Sequence, residues 1–361
     1  MTICTATTIS IRRATAGDVP QIADMMQLVS GRDHSVEAVR TMTAGFAPGR
    51  FYGWIAFGGN EPVGLTTLEP CILERGGTAM EAGYWRYLWV RPDQRRTPLY
   101  PRLVFTMIAE AAGLGIDLVY GAIRRPDVAA GHIALGMQKV GEIPVLARPL
   151  RPARLFSKFH GLPDVLMRLS AVPDLVYGQY LSLRGPSIRS GYVITDAAAT
   201  EVDPSAIIPT LREMYASELR RRLTSESFAD RYYSNSDGAQ YRVLSVGRSG
   251  AVSAAIVYRI AVRGKGIRTL VIMEMGYRFS DQAALKFGLL EIEKQALRLG
   301  CEVILSLSSS RASHTLLRQL GYFRSNETYI LMKKPTGRNT TAIVMENLDD
   351  WHFTFADHDA F

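Results

Sequence analysis

The strongest constraint on this chain is an order of predicted elements that occurs twice. In the first half, period-2 apolar runs predict strands over 9–15, 51–57, 62–68, 84–90, 116–123 and 143–150. Patterns of period 3.6 predict helices from the N-cap Asp18, from Ser35, over 99–114 and over 128–135. Gly58-Gly59-Asn60 between the second and third runs reads as a hairpin turn. The second half gives strands over 192–196, 241–246, 252–262, 269–277, 302–307 and 328–332. Its helices fall at the apolar face of Ile207, Ile208, Leu211, Met214 and Tyr215, then over 282–299 and 311–320. Strand, helix, three strands, helix, strand, helix, strand therefore appears in each half, with no obvious identity between the copies. With 361 residues, two domains of ordinary size are expected. The reading is an α/β chain with mixed sheets, made of two tandem units over 1–150 and 191–361.

Composition narrows what such a pair can do. Apolar residues are 47% and charged residues 21%, and no 18-residue stretch lacks charges or turn residues, which excludes a spanning helix. The opening MTICTATTISIRRAT has no long apolar core, so a cytoplasmic location is the expectation. Lys plus Arg at 42 against Asp plus Glu at 34 gives +8, which favours anionic ligands without requiring a nucleic acid. Cys4, Cys71 and Cys301 form no CxxC pair, so neither a disulfide framework nor a zinc cage is expected. Between the two units, residues 151–190 carry Leu155, Phe156, Phe159, Leu166 and Leu169 at helical spacing beside Arg151, Arg154, Lys158 and Arg168. This basic amphipathic segment reads either as a linker packed on the two units or as a peripheral contact with an anionic membrane.

The element order, together with YLWVRPDQRRTPLYPRL at the end of the fourth strand, resembles the GNAT superfamily of acyl-CoA-dependent N-acyltransferases over nearly the whole chain. In that superfamily a V-x-P-x-x-R-x-x-G-x-G/A loop and the following helix N-terminus hold the coenzyme A pyrophosphate through backbone amides. Val90, Pro92 and Arg95 match it. The resemblance implies acetyl-CoA or another acyl-CoA as donor, held by Leu88, Val90, Arg95, Arg96, Thr97, Leu99 and Tyr100. Pro98 and Tyr100 stand where glycine and glycine or alanine are expected, and Pro98 has no N–H to give. Arg95 and Arg96 can compensate through side-chain contacts to phosphate. The second half has no such cradle, and Asp281 caps the equivalent helix. Its segments SRASHTLLRQLGYF and ETYILMKK nevertheless resemble the C-terminal part of a GNAT domain. RPDQRR, GMQKVGEIPVLARPL, FADRYY and DDWHFTFADHDAF are similar in order to bacterial double-GNAT proteins associated with polysaccharide or secondary-metabolite pathways.

Amide formation from a thioester needs a base for the ammonium proton and an acid for the leaving thiolate. Glu274, within LVIMEMGY, is the first candidate base, with an ion pair to an arginine such as Arg259 as the structural alternative. Glu81 is the second. Many members of the superfamily place a tyrosine acid four residues before a helix-closing glycine, and counting back from Gly136 gives His132. His352, His358, Asp357 and Asp359 look ligand-like but match no metal spacing, so an acidic, aromatic tail docked on a basic body is expected and no metal. Arg220, Arg221 and Arg222 read as charges complementing a helix end, and Glu218 is spaced to pair with Arg222. The chain lacks a GxSxG elbow, a Walker loop and a dinucleotide fingerprint. The function expected is N-acyl transfer from coenzyme A to a primary amine of a small molecule, an amino sugar among the candidates. The alternatives are an acyl carrier protein or aminoacyl-tRNA as donor, or a non-catalytic binding protein of the same fold.

Overall fold

The computed structural model describes residues 9–358 except 32, 164, 166–168, 184–190, 234–239, 249 and 338–344. Cys4, Leu166, Arg168 and Asp359 lie outside the described residues. The chain divides into two compact units, Met1–Gly141 with Ile330–Glu346, and Glu142–Tyr329 with Asn347–Phe361.

Unit 1 is built on a sheet of β1 (Ile9–Arg13), β2 (Tyr52–Gly58), β3 (Glu61–Arg75) and β4 (Thr78–Val90), paired antiparallel in that order. β5 (Leu118–Ile123) runs parallel to β4. β2 is apolar on both faces because both are covered. Trp54 and Ala56 pack under α3 (Leu99–Ala111), while Ile55 and Phe57 face α1 (Val19–Ser30). α2 (Val36–Met42) and α4 (Pro126–Ala134) complete the unit, and Ser35 caps α2 as the sequence predicts, its side chain accepting from the Ala38 N–H at 3.1 Å. Asp18 instead turns its carboxylate back to Arg12 and to the Thr15 N–H, so it does not cap α1 forward. The last strand against β5 is Ile330–Pro335, from the far end of the chain.

Unit 2 receives the complementary piece. Val145–Pro149, the end of β6 (Gln138–Pro149), pairs antiparallel with a strand of the second half, Val303–Leu307. In chain order the unit then has α5 (Pro152–His160), α6 (Ala171–Leu183), β7 (Val193–Ala198), α7 (Pro204–Glu213), β8 (Arg220–Arg221), α8 (Ser225–Tyr232), β9 (Tyr241–Arg248) and β10 (Ala251–Arg263). β11 (Ile267–Tyr277), α9 (Gln282–Arg298), β12 (Val303–Leu307), α10 (Arg311–Gln319) and β13 (Phe323–Pro335) follow. β7, β9, β10 and β11 pair antiparallel, and β12 is parallel to β11. The two halves thus exchange their last strands: β6 ends in unit 2 and β13 ends in unit 1. The predicted elements recur, but β3, β4, β6 and β13 run five to seven residues beyond an expected end; β8 and α8 are additional, and the helical spacing of 151–190 takes form as α5 and α6.

Arg148 pins the exchanged end of β6. Its Nε donates to Glu293 Oε1 of α9 at 3.2 Å and its Nη1 to the Gly321 carbonyl at 3.1 Å, with both charged side chains buried. Gly321 has φ +88°, and a Cβ there would strike the guanidinium, so this turn requires glycine. Arg148→Ala should leave the Glu293 carboxylate buried without its arginine and lower stability by about 3–5 kcal/mol in urea unfolding. The joint replacement Arg148→Met with Glu293→Leu should restore most of that loss.

Candidate functional site

In each unit the strand before the long helix leaves its parallel neighbour at a β-bulge. In unit 1, β4 pairs with β5 only over Ala82–Tyr84 against Leu118–Tyr120. Immediately beyond, the β3–β4 register shifts so that Arg86 and Tyr87 oppose Thr67. A bulge bends and over-twists its strand, which accounts for the parting. β4 continues to Val90 along β3. The Arg91 N–H donates to the Val63 carbonyl at 3.0 Å, and antiparallel alternation then directs the N–H and C=O of Leu88 and Val90 away from β3, toward the side β5 has left. The Val90 carbonyl accordingly accepts from Arg95 Nε at 3.4 Å.

Trp85, next in the chain after the Ala82–Tyr84 pairing, joins His132 and Tyr100 in a cluster of three side chains. The His132 ring of α4 lies on the Trp85 indole, centroids 4.2 Å apart and 19° from parallel. Trp85 Nε1 donates to Thr66 Oγ1 at 2.9 Å, and Tyr100 Oη of α3 is 2.6 Å from His132 Nδ1. Burial pushes His132 down to about 4, against a smaller opposing effect of its backbone hydrogen bond to Val128, so the imidazole is neutral at physiological pH. Burial raises half-buried Tyr100 to about 12, so its phenol stays protonated. The counting rule from Gly136 therefore finds a histidine in hydrogen-bonding contact with the tyrosine that replaces a loop glycine.

The start of α3 offers few free backbone N–H groups. Pro98 and Pro101 have no N–H, and the Leu99 N–H is taken by Thr97 Oγ1 at 3.3 Å. Of the first three helical residues, only Tyr100 keeps an amide not removed or capped locally, among the described contacts. The amides of Gln94, Arg95 and Thr97 close turns onto Arg91, Pro92 and Gln94. Arg91 is held by Asp93 and Glu61, whereas Arg95 and Arg96 are exposed. Glu81 is exposed and pairs with Ile72 ahead of the Ala82–Tyr84 stretch, at the opposite end from the opening.

Unit 2 repeats the parting and fills it with chain. β11 and β12 pair over Thr269–Ile272 against Val303–Ser306, and Met273 is the extra residue of a bulge opposite β10. The C-terminal segment enters here. Thr354 bridges Ser308, the Ser309 N–H donates to the Phe353 carbonyl at 3.0 Å, and the Ala356 N–H donates to the Met273 carbonyl at 3.2 Å. Trp351, Phe353 and Phe355 are almost wholly buried. Their alternation in the sequence is the signal that identifies the segment as strand-like. At the helix end beyond, Asp281 caps α9 as predicted and accepts from Tyr192 Oη at 2.5 Å.

Beside the tail lies a small open recess lined by Arg212, Arg220, Arg221, Glu274, His352 and Asp357. Glu274 Oε2 accepts from Tyr232 Oη at 2.9 Å. Burial raises its pKa, while the charges of Arg231 and Arg220 oppose this. Arg259, the sequence alternative for its partner, donates to Tyr241 Oη at 3.2 Å. His352 stacks on Tyr215 at 3.5 Å, and burial drives it down to about 3 with the Arg220 charge assisting. Its ring nitrogens have no hydrogen-bond partner among the described residues. Glu218, spaced to pair with Arg222, accepts from Ser310 Oγ at 2.8 Å. No group of three or more metal-ligating side chains is found among the described residues.

No protein-family model matches the sequence, and no curated protein does either. Solved structures do match. A tandem GNAT protein from the clavulanic acid biosynthesis pathway is 13% identical and superposes with a TM-score of 0.60 over 92% of this chain and 100% of its own. A GCN5-related N-acetyltransferase from Anabaena variabilis gives 0.62 at 10% identity, over 91% of this chain and 73% of its own. Saccharomyces cerevisiae N-myristoyltransferase with bound myristoyl-CoA gives 0.61 at 14% identity, over 98% and 85%. The parting strands, the helix that follows them and these superpositions together identify the architecture as a tandem GNAT fold.

Proposed function

We propose that this chain moves an acyl group from a pantetheine thioester, acetyl-CoA or another acyl-CoA in the first instance, to a primary amine of a small molecule. An amino sugar is one acceptor class to be screened. The observation that carries the reading is the edge at Leu88 and Val90, whose backbone groups face a side that no strand fills among the described residues, the Val90 carbonyl meeting only the Arg95 side chain there. An extended pantetheine arm carries amides that can add to such an edge as a strand does. The corresponding opening in unit 2 is taken by the chain's own Phe353 and Ala356 backbone, which supports unit 1 as the donor unit.

In the transfer the amine nitrogen bonds to the thioester carbon, the C–S bond breaks, the ammonium proton is lost and the thiolate is protonated. Tyr100 presents the O–H donor and His132, neutral, orients it through Nδ1. Arg95 and Arg96 supply phosphate contacts through their side chains. Glu274, with its raised pKa beside Tyr232, belongs to unit 2 and takes no part in a transfer at unit 1; the acceptor amine enters there as the free base, its proton lost to water. Glu81 receives no role.

A second reading follows from the few free amides at the start of α3. Loss of backbone donors at Pro98, Leu99 and Pro101 removes the diphosphate site and leaves the edge for the arm. That combination suits an acyl group on the phosphopantetheine of a carrier protein.

Titration with acetyl-CoA and with acetyl-pantetheine, followed by hydrogen exchange, separates these readings. Slower exchange over 86–90 with either compound is expected; no binding and no protection with both would defeat the proposal. Arg95→Ala with Arg96→Ala should weaken acetyl-CoA roughly threefold to tenfold and leave acetyl-pantetheine unchanged. Tyr100→Phe should lower kcat by about a hundredfold with little change in KM. Ser308→Cys with Thr354→Cys, oxidised to hold the tail in place, should bind acetyl-CoA as the native chain does; loss of binding would put the donor in unit 2.

The neutral imidazole also predicts a pH dependence. Free histidine titrates near 6.5 and folded His132 at about 4, so between these values the unfolded chain binds more protons. Stability contributed by His132 is full above pH 6.5 and lost as pH falls to about 4, a difference of up to about 3 kcal/mol. His352 contributes with the same sign. His132→Gln should flatten this acid slope in thermal unfolding measured between pH 7 and about 4.

A further inference from the structure

α6 is apolar around most of its circumference. On its inner side Asp174 and Leu181 are buried and Gly178 meets Leu297 of α9. On its outer side Val172, Leu175, Val176, Tyr180 and Leu183 are each more than half exposed, at the i, i+3, i+4, i+8, i+11 spacing of one stripe. Val165, Leu169, and Phe156 and Phe159 of α5 are also more than half exposed. Of seventeen large apolar side chains exposed among the described residues, nine fall between Phe156 and Leu183. A patch this concentrated marks an interaction surface rather than the ordinary scatter of exposed aliphatic groups.

The charge around it selects the partner. Among the described basic residues of 151–190, Arg154 and Lys158 are paired with Glu302 and Arg151 remains, while Asp174 is committed to capping α5, accepting from the Ala153 and Arg154 N–H groups at 2.9 and 3.0 Å. Lys265 is exposed, its Nζ donates to the Phe159 carbonyl at 2.6 Å, and exposed Arg268 lies on the same hairpin. In a symmetric contact between two copies, this basic border would face itself. An anionic lipid surface neutralises it while receiving the apolar stripe. No helix among the described residues is long and apolar enough to cross a membrane.

We infer that α5 and α6 form a peripheral docking face for an anionic bilayer, with the α6 stripe seated at the headgroup boundary and Lys265 and Arg268 of the β10–β11 hairpin over the phosphates. The face holds the molecule at the surface without a spanning element. It is independent of the donor reading.

The full chain is mixed with phosphatidylcholine vesicles, and with vesicles containing about a third phosphatidylglycerol, then sedimented. Binding to the anionic vesicles is expected to exceed that to neutral ones at least about tenfold. Leu175→Glu with Val176→Glu, both on the exposed stripe, should lower it by a further tenfold or so while circular dichroism and Tm stay native. Lys265→Glu, away from the stripe, should reduce binding to anionic vesicles and leave the weak neutral binding unchanged. Failure of the native chain to sediment with anionic vesicles would overturn the inference. A native dimer that the paired glutamates split, with no vesicle binding, would assign the face to a second copy and overturn it equally.

Discussion

The bulge that bends β4 away from β5, and β11 away from β12, governs the chemistry available to this chain. A strand that loses its neighbour exposes N–H and C=O groups, and each left unsatisfied in a buried place costs about 1–3 kcal/mol. An opening of this kind must therefore be lined by water, ligand or protein. Unit 2 meets the demand internally. Ala356 donates to Met273, Phe353 exchanges contacts with Ser309, and three buried aromatic side chains anchor the segment. In unit 1 the β4 edge continues to Val90, where Arg95 Nε reaches the Val90 carbonyl. The asymmetry between two copies of one fold is thus an asymmetry in who completes the sheet.

Much of the fold was legible because its elements are long and periodic. The helix over 282–299 and the strands over 251–263 and 267–277 are found nearly where the apolar pattern puts them. The exchange of β6 and β13 was not legible, since a period-2 run states that a strand exists and not which neighbour it joins. The bulges were invisible for a related reason: one extra residue in a strand leaves no mark on an already mixed apolar pattern. Asp18 shows the limit of local rules, because a nearby arginine competes with the helix end for its carboxylate. For the candidate site, Pro98 and Tyr100 announced in the sequence that the loop departs from its pattern, and the few free amides at the helix end are the physical form of that departure. The meeting of Tyr100 with His132 depends on how α3 and α4 pack, which no spacing within either helix encodes.

The docking face and the loop share one physical theme, the placement of cations where they are exposed. Arg95 and Arg96 lie in solvent, as do Lys265 and Arg268. Exposed guanidinium and ammonium groups attract anions through water, so their contribution falls as salt rises. Backbone amides at a helix end act differently, because they are fixed in direction and sheltered. Replacing the second kind of phosphate contact with the first loosens both the geometry and the selectivity for a diphosphate.

That exchange bears on which donor the opening can serve. Coenzyme A presents a pantetheine arm and a nucleotide diphosphate, and a GNAT loop with its amides intact holds both. In the reading proposed above, the edge at Leu88 and Val90 would take the arm, whereas the helix end retains the Tyr100 amide between two prolines. A phosphopantetheine attached to a carrier protein needs the arm's edge and one phosphate contact, and acidic surface on the carrier would complement exposed Arg95 and Arg96. Affinity for such a donor would come from strand-like hydrogen bonds worth about 1 kcal/mol each and from protein contacts outside the opening. Under that proposal, the β4 edge matches the part of the donor that any pantetheine thioester shares, and the scarcity of amides at the helix end bears on the part that only the free coenzyme carries.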